Sequence, residues 1–385
     1  MTEVVITPFE ASIAAEDVAD LRARLARTRW ADWLPETGWS YGTDEAYLKR
    51  LCGYWQDGFD FAKFIERLNA FPQFLAEAEG ERLHFYHVRS KAPGARPLVL
   101  VHGWPGSVVE FLDLIGPLSD PAAYGADPAQ AFDVIVPSLP GYGFSGPTRA
   151  RGANVQKAGA MIAGVMRALG YDRYFLQGGD WGSIVTSGMA RSYPDRVAAL
   201  HVNMAPGFPT NPAVPVEGLS DAEAAIYARL GQHMAGDAAY AFIQGTRPQT
   251  LAVAMNDSPA GLAAWIIDKF YAWTDHGGDL DSVFDLDHLL DNLSLYWFTG
   301  TAGSSFRLYH ENNVRSAYVH PTVDVPTGVA QFAGEPFTWP RSLVEKAYRN
   351  IQDWRELPKG GHFAAFQRKD DFLRVVRDFF AEQSL

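Results

Sequence analysis

Gly178-Gly179-Asp180-Trp181-Gly182 has the form Gly-x-nucleophile-x-Gly, with Asp where such a pattern usually carries Ser. Tyr174-Phe175-Leu176-Gln177 before it suits a buried strand, and Ser183 to Arg191 after it suits a helix. Strand, sharp turn and helix form the context a nucleophile elbow needs, and the flanking glycines allow the strained turn and the close strand–helix approach. A carboxylate nucleophile makes an alkyl ester, so the pattern points to attack on saturated carbon. Epoxides and alkyl halides are the electrophiles that fit.

Such an ester must be hydrolysed, which calls for a base to activate water and an acid to orient that base. His362 follows the tight turn Lys359-Gly360-Gly361 and precedes Phe363-Ala364-Ala365-Phe366, a setting that presents an imidazole at strand ends. It is the best base among ten histidines, most of which are expected to be structural. For the acid, chain order leaves Asp324, Glu335, Asp353 and Glu356. Glu335 is favoured, because it lies in a loop just beyond a strand ending near Val329 or Ala330. Asp353 falls inside a strand pattern and reads as a solvent-facing residue.

The ester oxygen needs converging backbone N–H groups. The amide of Trp181 follows the nucleophile, and that of Trp104 lies in the His102-Gly103-Trp104-Pro105-Gly106 turn. A leaving epoxide oxygen also needs a proton donor, and tyrosine is protonated at neutral pH. Tyr227, Tyr240, Tyr271, Tyr296 and Tyr309 are available, and pattern alone does not choose among them.

These residues must be placed by an α/β framework. His84 to Val88, Pro97 to Val101, Phe132 to Val136, Tyr174 to Gln177 and Val197 to Val202 read as strands. Val108 to Leu118 reads as a helix, and Ala158, Met161, Ile162, Val165, Met166 and Leu169 form a helical stripe closed by Gly170. This alternation predicts a mostly parallel sheet covered by helices, with function at the carboxyl ends of its strands. Between about 205 and 313 the alternation gives way to helical, aromatic-rich sequence, which predicts an inserted cap. A strand returns at Val323 to Val329, another precedes Lys359, and Asp371 to Gln383 forms a closing amphipathic helix. Residues 1–90 read as short helices and meandering chain rich in Trp and Phe, packed on something larger. The expected division is an extension at 1–90, a core at 91–205 and 316–385, and a helical cap at 206–315.

The chain has 385 residues and a net charge of −12, which argues against nucleic acid or an anionic membrane as partner. Cys52 is the single cysteine, so neither an intrachain disulfide nor a thiolate metal cluster can form. No metal-ligand spacing occurs among the histidines. Gly141-Tyr142-Gly143-Phe144-Ser145-Gly146 matches a dinucleotide fingerprint, but Pro147 follows and no helix pattern opens, so it reads as a turn near the site. No cofactor is therefore expected. Without a signal peptide or an apolar run near ~18 residues, a soluble, cytoplasmic protein is expected. Whether copies form a homo-oligomer is open.

Taken together, the chain resembles the microsomal-type epoxide hydrolases of the α/β-hydrolase superfamily. The resemblance rests on Asp20 to Leu25, Thr28-Arg29-Trp30 and Leu68 to Phe74 in the N-terminal part, which is similar to that family's N-terminal domain. It rests also on His102 to Ser107, Gly178 to Ser183, Asn256 to Ala264 and Gly360 to Ala365. It implies Asp180 as nucleophile, His362 as base, Glu335 as its carboxylate, and Tyr240 and Tyr309 as the pair that holds and protonates the epoxide oxygen. Epoxide and water are the implied partners. The animal enzymes' membrane anchor has no counterpart before the N-terminal domain, which fits a soluble bacterial member. Similar enzymes of enediyne biosynthesis make a natural-product epoxide a candidate substrate. The alternatives are a haloalkane dehalogenase using the same Asp, and a catalytically silent ligand-binding member of the fold.

Overall fold

The computed structural model describes residues 4–209, 213–314 and 322–385. Within these residues, strands β1 (Val5–Phe9), β2 (Gln73–Ala78), β3 (Glu81–Val88), β4 (Arg96–Val101), β5 (Phe132–Pro137), β6 (Tyr174–Gly178), β7 (Val197–Val202), β8 (Thr327–Gly334) and β9 (Ile351–Gly361) form one sheet. Its order is β1-β2-β3-β5-β4-β6-β7-β8-β9. β1 pairs antiparallel with β2, β2 with β3 and β3 with β5, and every pairing from β5 to β9 is parallel.

Helices α1 (Ala15–Ala26), α2 (Glu45–Asp57) and α3 (Phe61–Leu68) lie between β1 and β2. The parallel strands are joined through α4 (Leu112–Ser119), α5 (Val155–Ala168) and α6 (Trp181–Ser192). The span between β7 and β8 holds α7 (Asp221–Asp237), α8 (Ala239–Thr246), α9 (Pro248–Asp257), α10 (Pro259–Ala272), α11 (Leu286–Thr299) and α12 (Ala302–Val314). The chain closes with α13 (Arg341–Ala347), α14 (Ala364–Gln367) and α15 (Lys369–Ala381). Leu98 to Val101 in β4 are fully buried, as expected of a central parallel strand covered on both faces. The stripe of α5 is buried from Ala158 to Met166, with Leu169 half-buried at the helix end, and Asn154 caps that helix by accepting from the Lys157 amide.

Several elements differ from the sequence expectation. Residues 1–90 do more than meander, since β1, β2 and β3 extend the sheet. The expected helix at Val108 opens with a 3₁₀ turn over Val108–Phe111. Val323 forms only an isolated bridge with Tyr348, so β8 starts later and runs to Gly334 rather than ending near Ala330. The expected boundary between cap and core at 315/316 lies outside the described residues.

The N-terminal helices pack on the helices between β7 and β8: α1 and α2 meet α10, and α2 also meets α11. The buried Trp55 indole donates to Ser294 Oγ at 2.9 Å, and Trp39 stacks on Tyr271 with centroids 3.9 Å apart. Thr43 Oγ1 donates to the Ala264 carbonyl at 2.7 Å. Trp55, Phe59 and Phe64 are buried, whereas Trp30 and Tyr41 are exposed. No helix among the described residues is long and apolar enough to cross a membrane.

Candidate active site

Asp180 sits between β6 and α6 with φ +51° and ψ −129°. A positive φ at a non-glycine residue is strained and is found preferentially at functional turns. The turn fits because its neighbours lack side chains. A Cβ on Gly182 would lie 1.9 Å from the Val101 carbonyl oxygen, and one on Gly103 would lie 2.1 Å from Asp180 Oδ1. The end of β4 thus comes directly against the elbow, and the Trp104 amide donates to Asp180 Oδ1 at 2.7 Å. Trp181 opens α6, where the first amides of a helix have no intrahelical acceptor and the dipole favours negative charge.

His362 lies at the end of β9, after Gly360 at φ +102°. Its Nδ1 is 3.0 Å from both Glu335 oxygens, and its Nε2 is 3.4 Å from Asp180 Oδ2. Glu335 is buried just past β8, and its Oε1 also accepts from the Phe337 amide at 3.0 Å. Burial opposes a charge on the imidazole, but the Glu335 carboxylate and then the Asp180 contact outweigh it, and the His362 pKa is pushed up to about 10. The protonated ring is thus favoured at neutral pH.

The other acids the sequence left open lie elsewhere. Asp353 pairs with Arg355 at 2.8 Å, Glu356 accepts from the Trp354 indole, and Asp324 faces Arg349 at 4.0 Å.

Tyr240 on α8 and Tyr309 on α12 close the site from the other side. Tyr240 stacks on Trp104 with centroids 5.0 Å apart, and Tyr309 meets Trp181 edge-on at 4.8 Å. The two phenol rings are 5.9 Å apart. The Tyr309 hydroxyl is buried, and among the described residues only the Trp181 indole comes near enough to pair with it, an arrangement native structures rarely leave without a purpose. Burial first, then Tyr240 and Asp180, hold its pKa well above the ordinary tyrosine value. The remaining tyrosines are occupied: Tyr227 donates to the Val214 carbonyl, Tyr296 donates to the Gly106 carbonyl, and Tyr271 stacks on Trp39. The Gly141 to Gly146 turn is used to seat α12, through Ser304 to the Gly141 carbonyl and the Gly143 amide to Thr301.

A cavity of about 20 Å³, large enough for one water, is lined by Asp180, His362, Gly103, Phe111, Asn203 and Glu110. Sequence reasoning missed Glu110. Loss of solvent pushes its pKa up to about 8, with His362 opposing and Asp180 adding to the shift. Its only sequence signal was an acid three residues after Ser107, which looks like an ordinary helix start.

Residues 6–111 match the family model described as epoxide hydrolase N terminus, and residues 96–247 match that of the alpha/beta hydrolase fold. Epoxide hydrolase 1 of Sus scrofa is 35% identical over 400 residues, covering 97% of this chain and 88% of the relative. The crystal structure of juvenile hormone epoxide hydrolase from Bombyx mori superposes with a TM-score of 0.90 at 31% identity, covering 98% of this chain and 95% of that one. The Aspergillus niger epoxide hydrolase structure gives a TM-score of 0.86 at 30% identity, covering 99% and 97%. An elbow bearing a carboxylate, on a sheet shared nearly end to end with these enzymes, makes this chain a member of the epoxide hydrolase family with the α/β-hydrolase fold.

Proposed function

We propose that the enzyme opens its epoxide in two steps through an ester on Asp180. Asp180 attacks one ring carbon, and the C–O bond breaks toward oxygen, which takes a proton from the tyrosine pair Tyr240 and Tyr309. Esterification removes the Asp180 charge, which is one of the influences holding His362 protonated. The imidazole then releases its proton, which restores the phenol. Neutral His362, oriented by Glu335, takes a proton from water, whose oxygen adds to the ester carbonyl. The Trp104 and Trp181 amides receive the resulting oxyanion. Collapse frees the diol, whose second hydroxyl oxygen came from Asp180. Glu110 is assigned the second contact to that water.

The observation that carries this reading is the chain Glu335–His362–Asp180, at 3.0 and 3.4 Å, against a cavity with room for one water. The test is intact-protein mass spectrometry of His362→Gln, separately with styrene oxide and with a terminal chloroalkane. The expected result is an adduct equal in mass to the whole epoxide, mapping to the Asp180 peptide. An adduct from the chloroalkane alone, with halide released, would move the reading to a dehalogenase. For the physiological substrate, the resemblance to enzymes of enediyne biosynthesis favours a natural-product epoxide, to be tested by comparing its kcat/KM with that of styrene oxide. The cap, by this reading, is the 206–315 segment, and the 1–90 segment braces it.

A further inference from the structure

Lys269 is a buried lysine in the middle of α10, which is rare for this residue type. Its ammonium pairs with Asp237 at the end of α7 and with Asp268 at 2.8 Å. It lies 5.2 Å from the centre of the Tyr240 ring and 5.9 Å from that of Trp273. The Trp273 indole donates to the second Asp237 oxygen at 2.6 Å, and His233 approaches the same oxygen at 3.8 Å. Tyr240 is thus flanked by the Trp104 ring and by an ammonium. Among the described residues, no lysine or arginine lies over the Tyr309 ring.

Stability gives little reason for this cluster. A buried ion pair contributes little more than apolar residues of equal volume, so its position next to the site is the informative fact. A cation on a phenol face stabilises the negative charge that grows as the hydroxyl gives up its proton. We infer that Lys269 is a positioning residue that makes Tyr240, rather than Tyr309, the tyrosine that gives its proton to the opening epoxide oxygen. In that step the Asp180–carbon bond forms, the carbon–oxygen bond breaks, the oxygen takes the Tyr240 proton, and Tyr240 becomes a phenolate. The proton released by His362 neutralises it. Tyr309 holds the oxygen by a hydrogen bond it keeps throughout.

The inference rests on the ester mechanism above, and the experiment separates the two. In the His362→Gln background, adduct formation on Asp180 with styrene oxide is timed by quenched mass spectrometry, with Lys269→Gln, Lys269→Arg, Tyr240→Phe and Tyr309→Phe added. Gln at 269 keeps a hydrogen-bond donor for Asp237 without the charge. Lys269→Gln is expected to slow adduct formation about tenfold. Lys269→Arg should restore most of the rate. Lys269→Gln should cost little more once Tyr240 is Phe, yet keep its full effect once Tyr309 is Phe. With His362 intact, hydrolysis of the preformed ester should be unchanged by Lys269→Gln.

Equal losses from Lys269→Gln in the two phenylalanine backgrounds would overturn the inference, as would failure of the Arg variant to recover. If Lys269→Gln does not fold, the single variants decide: a larger loss from Tyr309→Phe than from Tyr240→Phe overturns it. Absence of any ester in His362→Gln alone would instead remove the mechanism beneath it.

Discussion

The two halves of the site are built by different means. On the sheet side, Asp180, Trp104, Glu335 and His362 sit on turns at strand ends, and backbone geometry fixes them. Asp180 is held at a positive φ, Trp104 by the turn after β4, and His362 by the glycine pair before it. On the helical side, Tyr240 in the first turn of α8 and Tyr309 and Lys269 within α12 and α10 are held by ring contacts and one ion cluster. A strained turn sets its side chain through the backbone, whereas the helical residues depend on packing against side chains distant in sequence. In the proposed mechanism, the groups that make bonds lie on the turn-built half, and those that would hold the epoxide oxygen lie on the helix-built half.

Substitutions can break that contrast, beginning with the strongest. Asp180→Ala should abolish turnover by about 10⁴-fold or more, measured as diol formation, because no second nucleophile shares the elbow. Wild-type turnover in that variant would end the assignment. Glu335→Gln should slow ester hydrolysis by about 10²-fold while leaving adduct formation nearly intact, since it weakens only the base. A pre-steady-state burst followed by a slow phase is the expected record. Trp55→Phe tests the helical half from outside. Losing the bond to Ser294 should cost about 1 kcal/mol, read from denaturant unfolding with the slope unchanged.

The last test is the pH dependence of stability. His362 is raised from 6.5 to about 10, so its stabilising contribution is complete below about pH 6.5 and is lost as pH rises toward 10. Glu110, raised from 4.5 to about 8, costs stability as pH rises from about 4.5 to 8, overlapping the lower part of that range. The Tm should fall between pH 6.5 and 10, and His362→Gln should flatten that fall. A decline as steep in the variant as in the wild type would show that His362 does not govern it.

What could be read from the sequence follows the same division. Asp180, His362 and the His102 to Gly106 turn announce themselves through glycines, because a strained turn leaves a local mark. Glu335 was one of four acids, since its reach depends on how far β8 runs and on the loop after it. Tyr240 and Tyr309 could not be chosen from five tyrosines by pattern, and required resemblance to a family. Lys269 follows Asp268 in an otherwise apolar helix and looks like part of a solvated face, because the carboxylate that receives it lies 32 residues away. Strands β1 and β2 escaped for another reason: Pro8 and the polar residues among Gln73 to Ala78 suit strands at a sheet margin, which carry no continuous apolar run.

The junction of the two halves has a practical consequence. The His362 amide donates to the Trp273 carbonyl at 2.9 Å, the Gly360 amide to Asp275 Oδ2 at 3.1 Å, and Gln367 to the Asp275 carbonyl at 2.6 Å. The proposed base is therefore sutured to the segment that follows α10. A chimaera that exchanges the helical region between relatives at the strand ends would import a foreign acceptor for its own base. Modular grafting in this scaffold has to carry residues 273–275 and the loop at 360–367 as one inherited piece.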